Sequence, residues 1–583
     1  MTERIHVCVA WPYVNGDLHL GHLAGAYVPC DIFARYQRLR GREVLMVSGS
    51  DTHGTPITVR AEEEGITPRE VVDRYHPRDI EAYLKLGVSF DLYTETDTEN
   101  HWAVTQDVFL TLLRNGYIYR DMMDALYCDH CKKYLPDRYV EGTCPYCGNP
   151  GARGDQCDKC GRTLDAVQLL EPRCRFCGHR PRIRQTEHFF LDLPKLRPRL
   201  LEWLQDGKEH WRPNVLQFTV NMLNDPELRG RPITRDIPWG IPVPVEGFED
   251  KRIYVWFDAV IGYLAATKEW AKLIGEPERW RDWWQDKATR SYYFIGKDNI
   301  PFHTVIWPGM LIGYGDLNLP YDVPANEYLT LEERTLSKSR RWVIEVLDFL
   351  SRYDPDTLRY TLSINMPETR DTNFSWGEYV RRTNDELVAT YGNLVHRTLS
   401  FAQRNFEGRV PEPGELEEAD AAILARADGA FQTAGDLLEG CKFKAAITEI
   451  MAVAHEANRY LDAKAPWFQI KEDRRAAATT IYTCLCVINN LKVLLSPFLP
   501  FSSQRLHNLL GYETDIFGRQ YTEVVQETTR SHLVLRYDGS ALAAQWEPSR
   551  LPPGQKLPPP SPLFGKLDDG IVEQELARMS GGA

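Results

Sequence analysis

The chain has 583 residues, 43% hydrophobic and 26% charged, a length and balance that exclude a disordered or fibrous chain and call for several globular domains. A formal net charge of −13 excludes holding nucleic acid by bulk attraction and leaves only local contacts. No run reaches the roughly 18 uninterrupted apolar residues of a membrane span, and the N-terminus lacks the three regions of a secretory signal, so a cytoplasmic location with no membrane partner is expected.

Residues 5–10 (IHVCVA) are a short β-branched run ending in the turn-prone WPYVNGD, after which HLGHLAGAYVPCDIFARYQRLRG reads as a helix closed by Gly41. The next run, EVLMVSG, ends at Ser50, Asp51, Thr52, His53 and Gly54, where a parallel strand presents its C-terminal edge. Residues 1–115 therefore read as the first half of a doubly wound, parallel-sheet α/β catalytic domain of Rossmann type. Residues 116–235 turn to short Cys-, Gly-, Pro- and Arg-rich segments, an insertion that needs metal to pack. Strand-like runs return within 236–330, at RIYVWFDAVIGYL and SYYFIGKDNIPFHTVIW, and are expected to complete the sheet. Residues 331–384 form a polar loop and linking region, and 385–525 carry the periodicity of an all-α bundle. The extension 526–583 holds a stiff Pro-rich strap at 551–562 and shows no further domain.

His19 and His22 lie three residues apart at a helix start, with Gly21 between them, so they share a face where backbone N–H groups favour phosphate. Two surface histidines at a helix cap are the competing reading. Downstream, Leu336, Ser337, Lys338 and Ser339 occupy a polar loop whose Lys could neutralise phosphate charge, although by itself such a loop is usually only solvated.

Eight of the 13 cysteines form four Cys-x-x-Cys knuckles: Cys128 with Cys131, Cys144 with Cys147, Cys157 with Cys160, and Cys174 with Cys177. Eight thiolates suffice for two closed tetrahedral sites of the structural zinc kind, with iron–sulfur as the competing metal. Adjacent and nested pairing both satisfy the count.

HLGH resembles the HIGH motif, and TLSKS the KMSKS motif, of class I aminoacyl-tRNA synthetases. The methionyl family in particular is similar in AWPYVNGDLHLGH, GSDTHGTPI, EGTCPYCG, TEHFFLDLP, ITRDIPWGIPVP, YVWFDAVIGY, FIGKDNIPFH and NDELVA..GNLVHRTLSF, in family order from about residue 5 to 510. KDNIPFH and the four knuckles look closest to its archaeal and eukaryotic-type branch.

The resemblance implies an ATP-dependent ligase that activates L-methionine and loads tRNA(Met), with Mg²⁺ accompanying ATP and two structural Zn²⁺ ions. It assigns catalysis to His19, His22 and Lys338, and ATP binding to these with Gly21, Gly296 and Asp298. The amino-acid pocket maps onto Ala10, Trp11, Tyr13, Asp51, Trp256, Ala259, Val260, Tyr263, Asn299 and His303, and anticodon reading onto Asn393, Arg397, Pro466 and Trp467. It pairs the inner knuckles (144, 147, 157, 160) on one ion and the outer (128, 131, 174, 177) on the other. With no appended C-terminal domain, a monomer is expected.

Three departures stand out. Thr335 replaces the first Lys of KMSKS, leaving Arg334, Arg340 and Arg341 as the neighbouring cations. Trp11 replaces a Leu usual in bacterial members, which is expected to narrow the pocket or shift the side-chain angle, and Val260 replaces a frequent Pro. The rival readings are a paralogue that adenylates another amino acid and a non-catalytic tRNA-binding regulator.

Overall fold

The computed structural model describes residues 3–580, apart from 156, 158, 161, 163 and 337–341. Five strands form a parallel sheet: β1 (Arg4–Val9), β2 (Glu43–Ser50), β3 (Leu92–Glu95), β4 (Arg290–Gly296) and β5 (Ala325–Asn326), in the order β5-β4-β1-β2-β3. Every residue of β1 from Ile5 to Val9 is buried, because helices cover both faces of a parallel sheet; a continuous apolar run is the consequence. The order reverses beside β1, the position where doubly wound sheets open a crevice at their C-terminal edge.

The Rossmann-type expectation holds, with one element of a different kind. RIYVWFDAVIGYL is a two-residue strand, Arg252–Ile253, followed by a helix, Val255–Leu273. That helix is apolar nearly all round because it lies between the sheet and the helix Glu99–Arg114, and an unbroken apolar run does not distinguish a buried helix from a buried strand.

In the insertion, Ile118–Cys128 and Arg182–Leu191 pair antiparallel from Ile118↔Leu191 to Tyr127↔Arg182, a ribbon that carries the Cys-rich module at its tip. Helices Leu193–Leu204 and Pro213–Asn224 pack instead into the core under the sheet. The helices Asn393–Asn405, Glu418–Glu439, Phe443–Lys464, Arg474–Leu495 and Pro500–Leu509 form the C-terminal bundle, which shares one apolar core with the opposite face of the sheet. Arg474–Leu495 is apolar enough to cross a membrane by composition, but 94% of its apolar window is buried as the centre of this bundle. Fully buried Arg359 joins the two parts: it donates to Asp31 at 2.7 Å and to the Pro497 and Phe498 carbonyls at 2.8 and 2.7 Å.

The bundle ends before residue 525, and the extension does more than trail. β6 (Arg519–Gln526) and β7 (Ser531–Asp538) form a hairpin, and β7 adds antiparallel to β3. The alternation in RQYTEVVQ and SHLVLRYD around a polar turn is an ordinary hairpin signal. The strap 551–562 lies against the bundle, burying Leu551 and Leu557, and a last helix runs over Ile571–Ser580.

Candidate functional site

The site lies along the C-terminal edges of β1, β2 and β4. Asp51 follows β2 and is held in register with Tyr13: the Asp51 N–H donates to Pro12 O at 2.8 Å and the Val14 N–H to Asp51 O at 3.2 Å. Its carboxylate is buried and accepts from the His53 N–H at 3.3 Å. Burial, reinforced by the like charge of Asp258, pushes its acid well above the carboxylate range. The Ala10 N–H donates to Phe294 O at 3.0 Å, and Tyr27 Oη donates to the Ala10 carbonyl at 2.9 Å.

The two histidines sit as their spacing implies. His19 caps the first turn, its Nδ1 accepting from the Gly21 N–H at 3.1 Å, and His22 Nδ1 accepts from the His19 N–H at 3.2 Å. The rings stack with centroids 3.8 Å apart. An imidazole that accepts at Nδ1 carries its proton on Nε2 when neutral, so each ring has a donor on that nitrogen. The helix continues through a wide π-type turn, Leu23–Tyr27, before Val28–Leu39, a distortion common at functional sites.

Lys338 lies outside the described residues, as do Ser337, Ser339, Arg340 and Arg341. Both flanks of their loop meet the histidine motif. A Cβ on Gly21 would lie 2.7 Å from Leu336 Cδ1, the Leu20 N–H donates to Ile344 O at 3.2 Å, and the Val346 N–H to Leu18 O at 2.9 Å. Thr335 is exposed, and Arg334 stacks over Trp342 at 4.8 Å.

The helix Val255–Leu273 carries four of the residues expected to wall the amino-acid pocket. Trp256 stacks on Phe302 at 4.1 Å and meets Tyr13 edge-on at 6.0 Å. Ala259, Val260 and Tyr263 are buried on the same helix. Tyr263 Oη lies 2.7 Å from His303 Nε2, and His303 Nδ1 donates to the Asn299 carbonyl at 2.9 Å. Burial lowers His303 to about 4, so the ring is neutral and its Nε2 accepts from the tyrosine. Gly296 closes β4, and exposed Asp298 folds back over it on the turn Lys297–Asn299.

Trp11 does not simply narrow the pocket. A Cβ on Gly49 would lie 2.1 Å from its ring and one on Gly262 2.6 Å, so the indole fills a slot made by two missing side chains, between β2 and the wall helix. Gly262→Ala should therefore destabilise by about 1–3 kcal/mol through overpacking. Trp11→Leu should suppress most of that loss. Equal thermal midpoints for Gly262→Ala with and without Trp11→Leu would refute the slot.

Four residues of this region carry contacts to which the sequence reading gave no role. Phe302 is the stacking partner of Trp256. His53 Nδ1 lies 3.0 Å from Asp258 Oδ2 and its Nε2 3.6 Å from Asp97 Oδ1, all three nearly fully buried. Burial opposes charge on His53, but Asp258 and Asp97 outweigh it and push the imidazole up to about 10. His53 and Asp258 lie inside quoted family motifs, yet their contact spans 205 residues and leaves no local signal.

The cysteines form two nested clusters, 128/131/174/177 and 144/147/157/160. Across the outer cluster Cys128–Cys177 and Cys131–Cys174 are 3.5 and 3.8 Å apart; across the inner, Cys144–Cys160 and Cys147–Cys157 are 3.9 and 3.6 Å. A tetrahedron with Zn–S bonds of about 2.3 Å has edges of about 3.8 Å. The donor set fits zinc.

Asn393 and Arg397 face outward one turn apart on one helix. Arg397 lies 5.1 Å over the half-buried Trp467 ring and pairs with Asp462 at 2.7 Å, while Pro466 is buried at the start of the next helix. Phe468, 61% exposed, extends this aromatic surface and was not anticipated.

Two family models match: "tRNA synthetases class I (M)" over residues 5–399 and "Anticodon binding domain of methionyl tRNA ligase" over 410–538. The chain is 57% identical over 582 residues to a methionine--tRNA ligase of Thermomicrobium roseum and 54% over 591 to one of Roseiflexus castenholzii, with 99% of each chain covered. It superposes on Mycobacterium tuberculosis methionyl-tRNA synthetase in complex with methionyl-adenylate with a TM-score of 0.76 at 25% identity, covering 97% of this chain and 100% of that one.

Proposed function

The chain belongs to the class I methionyl-tRNA synthetases, and from that membership we propose how its residues divide the family's work. The enzyme joins L-methionine to ATP as methionyl-adenylate with release of pyrophosphate, then transfers the methionyl group to tRNA(Met). Asp51 takes the α-ammonium group, and the wall of Tyr13, Trp256, Ala259, Val260 and Tyr263, with Asn299 and His303, takes the thioether, a flexible and polarisable chain suited to aromatic walls. Ala10 and Trp11 set the floor where β1 ends.

The methionine carboxylate attacks the α-phosphorus and pyrophosphate leaves; no covalent enzyme intermediate is required. His19 and His22 donate from Nε2 to the phosphate oxygens as they gain charge, and Lys338 neutralises the departing pyrophosphate. Gly21 keeps the backbone close, Gly296 and Asp298 hold the ribose side, and Mg²⁺ carried with ATP offsets phosphate charge. A terminal ribose hydroxyl of the tRNA then attacks the acyl carbon and AMP leaves.

The observation that carries this reading is the buried Asp51 carboxylate, held in register with Tyr13 just past the C-terminal end of β2. Amino-acid-dependent exchange of pyrophosphate into ATP tests it. Methionine alone should support exchange. Exchange with a different amino acid would refute the specificity, and none would refute catalysis.

Each cysteine cluster would hold one Zn²⁺, which would stabilise the insertion. Metal analysis should find two ions per chain, and Cys144→Ser should lose the inner ion while keeping the outer. Undiminished zinc in that variant would break the assignment.

Asn393, Arg397, Pro466 and Trp467 read the anticodon, by stacking and by hydrogen bonds to base edges. Trp467→Ala should cut tRNA-dependent aminoacylation about ten- to a hundredfold, the cost of one lost base stack. Pyrophosphate exchange should be unchanged; equal losses in both would make Trp467 a packing residue.

A further inference from the structure

The β6–β7 hairpin follows the bundle in sequence but is latched to the catalytic sheet. Leu535 pairs with Tyr93 and Arg536 with Leu92 of β3. At its turn, Glu527 accepts from the Glu99 and Asn100 N–H groups at 2.9 and 3.1 Å, an anion on a helix N-terminus, while Glu99 accepts from the Thr528 and Thr529 N–H groups at 3.1 and 2.7 Å. His532 lies 2.7 Å from Glu269, on the helix that carries Asp258.

Arg530 adds a contact of another kind, to a buried carboxylate that leads toward the site. Its Nη1 pairs with Asp97 Oδ2 at 2.5 Å, with its guanidinium 5.3 Å from the Trp102 ring centroid. Asp97 also meets Arg69 at 3.2 Å and, through its other oxygen, lies 3.6 Å from His53 Nε2, an ion-pair contact and not a hydrogen bond. His53 in turn holds one oxygen of Asp258, and its backbone N–H holds Asp51. Among the described residues the second Asp258 oxygen is buried without a hydrogen-bond partner, next to the carboxylate assigned to the ammonium group. An orphaned carboxylate oxygen in so dry a place calls for a cationic partner.

We propose that Arg530 is a positioning residue for the amino-acid site: through Asp97 and His53 it fixes Asp51 and Asp258 as a two-carboxylate cradle for the substrate's α-ammonium group. The proposal rests on the amino-acid site assigned above. It makes a segment matched by the anticodon-domain model part of the apparatus that binds methionine.

The test is pyrophosphate exchange by the full chain, with a double-mutant cycle over Arg530→Ala and Asp97→Asn. Arg530→Ala should raise KM for methionine about three- to thirtyfold, the range for mutations along a coupled network, and leave KM for ATP unchanged. Arg530→Lys should recover most of the loss. In an Asp97→Asn background Arg530→Ala should add nothing, because the charge it acts through is gone. Leu535→Ala, which loosens the same hairpin where it pairs with Tyr93 of β3 and not at the turn that carries Arg530, is the structural control: its thermal midpoint should fall with KM for methionine unchanged. The proposal is overturned if Arg530→Ala leaves KM for methionine alone, moves both KM values equally, acts in full without Asp97, or is matched by Leu535→Ala. Wild-type enzyme that fails to exchange with methionine would instead overturn the site assignment itself.

Discussion

Asp51→Asn is expected to lower kcat/KM for methionine in pyrophosphate exchange about 10²–10³-fold, the range for removing one partner of a buried charge pair. The loss should fall on methionine and spare KM for ATP, because Asp51 ends β2 beside Tyr13, whereas the phosphate-facing histidines start the helix after β1. Asp51 also predicts a pH dependence. Its acid is raised by burial and then by Asp258, and His53 pulls in the opposite direction. A raised acid is charged only above its shifted pKa, so methionine binding should tighten as pH rises through a limb above the ordinary carboxylate range. Asp258→Asn removes the like charge and should carry that limb to lower pH. A limb that stays in place would mean that another group controls binding.

Lys338→Ala should slow exchange at saturating substrates about 10²–10³-fold, the usual cost of removing a donor that acts on transition-state charge. The loop flanks meet the HLGH turn at Leu336 and Ile344, which brings both ends of the loop to the motif proposed to bind ATP. Thr335 leaves one cation fewer here than the family motif provides, and Arg334 is drawn to Trp342. Thr335→Lys should therefore raise kcat, and a planar guanidinium is a poor substitute for a compact ammonium at such a place. Lys338→Ala as fast as wild type would remove the loop from catalysis, and an unchanged kcat in Thr335→Lys would show that the missing charge is already supplied.

The site splits by the range of its contacts. HLGH is legible because one helix turn brings His19, Gly21 and His22 together: the spacing is the geometry. The knuckles are legible for the same reason, since two thiolates three residues apart already form half a tetrahedral site. Asp51 is legible as the residue after an apolar strand. The helix Val255–Leu273 was masked by its own burial, which erases the periodicity that separates helix from strand.

The sequence by itself determined the catalytic fold and the two groups of four clustered cysteines, because these rest on local periodicity and on motifs with short spacing, and its resemblance to the methionyl family determined the reaction class. The nesting of the knuckles, left open by their spacing and implied by the resemblance, is what the structure shows, and only the tertiary structure decided that Trp11 sits in a slot left by Gly49 and Gly262 and that Arg530 reaches Asp97 across 433 positions of the chain. The physical reason is common to the last two. Each depends on which surfaces the folded core presses together, and a contact between residues far apart in the chain costs loop-closure entropy that grows only slowly with separation. Such contacts form wherever packing and charge favour them, and the residues near them in sequence carry no trace.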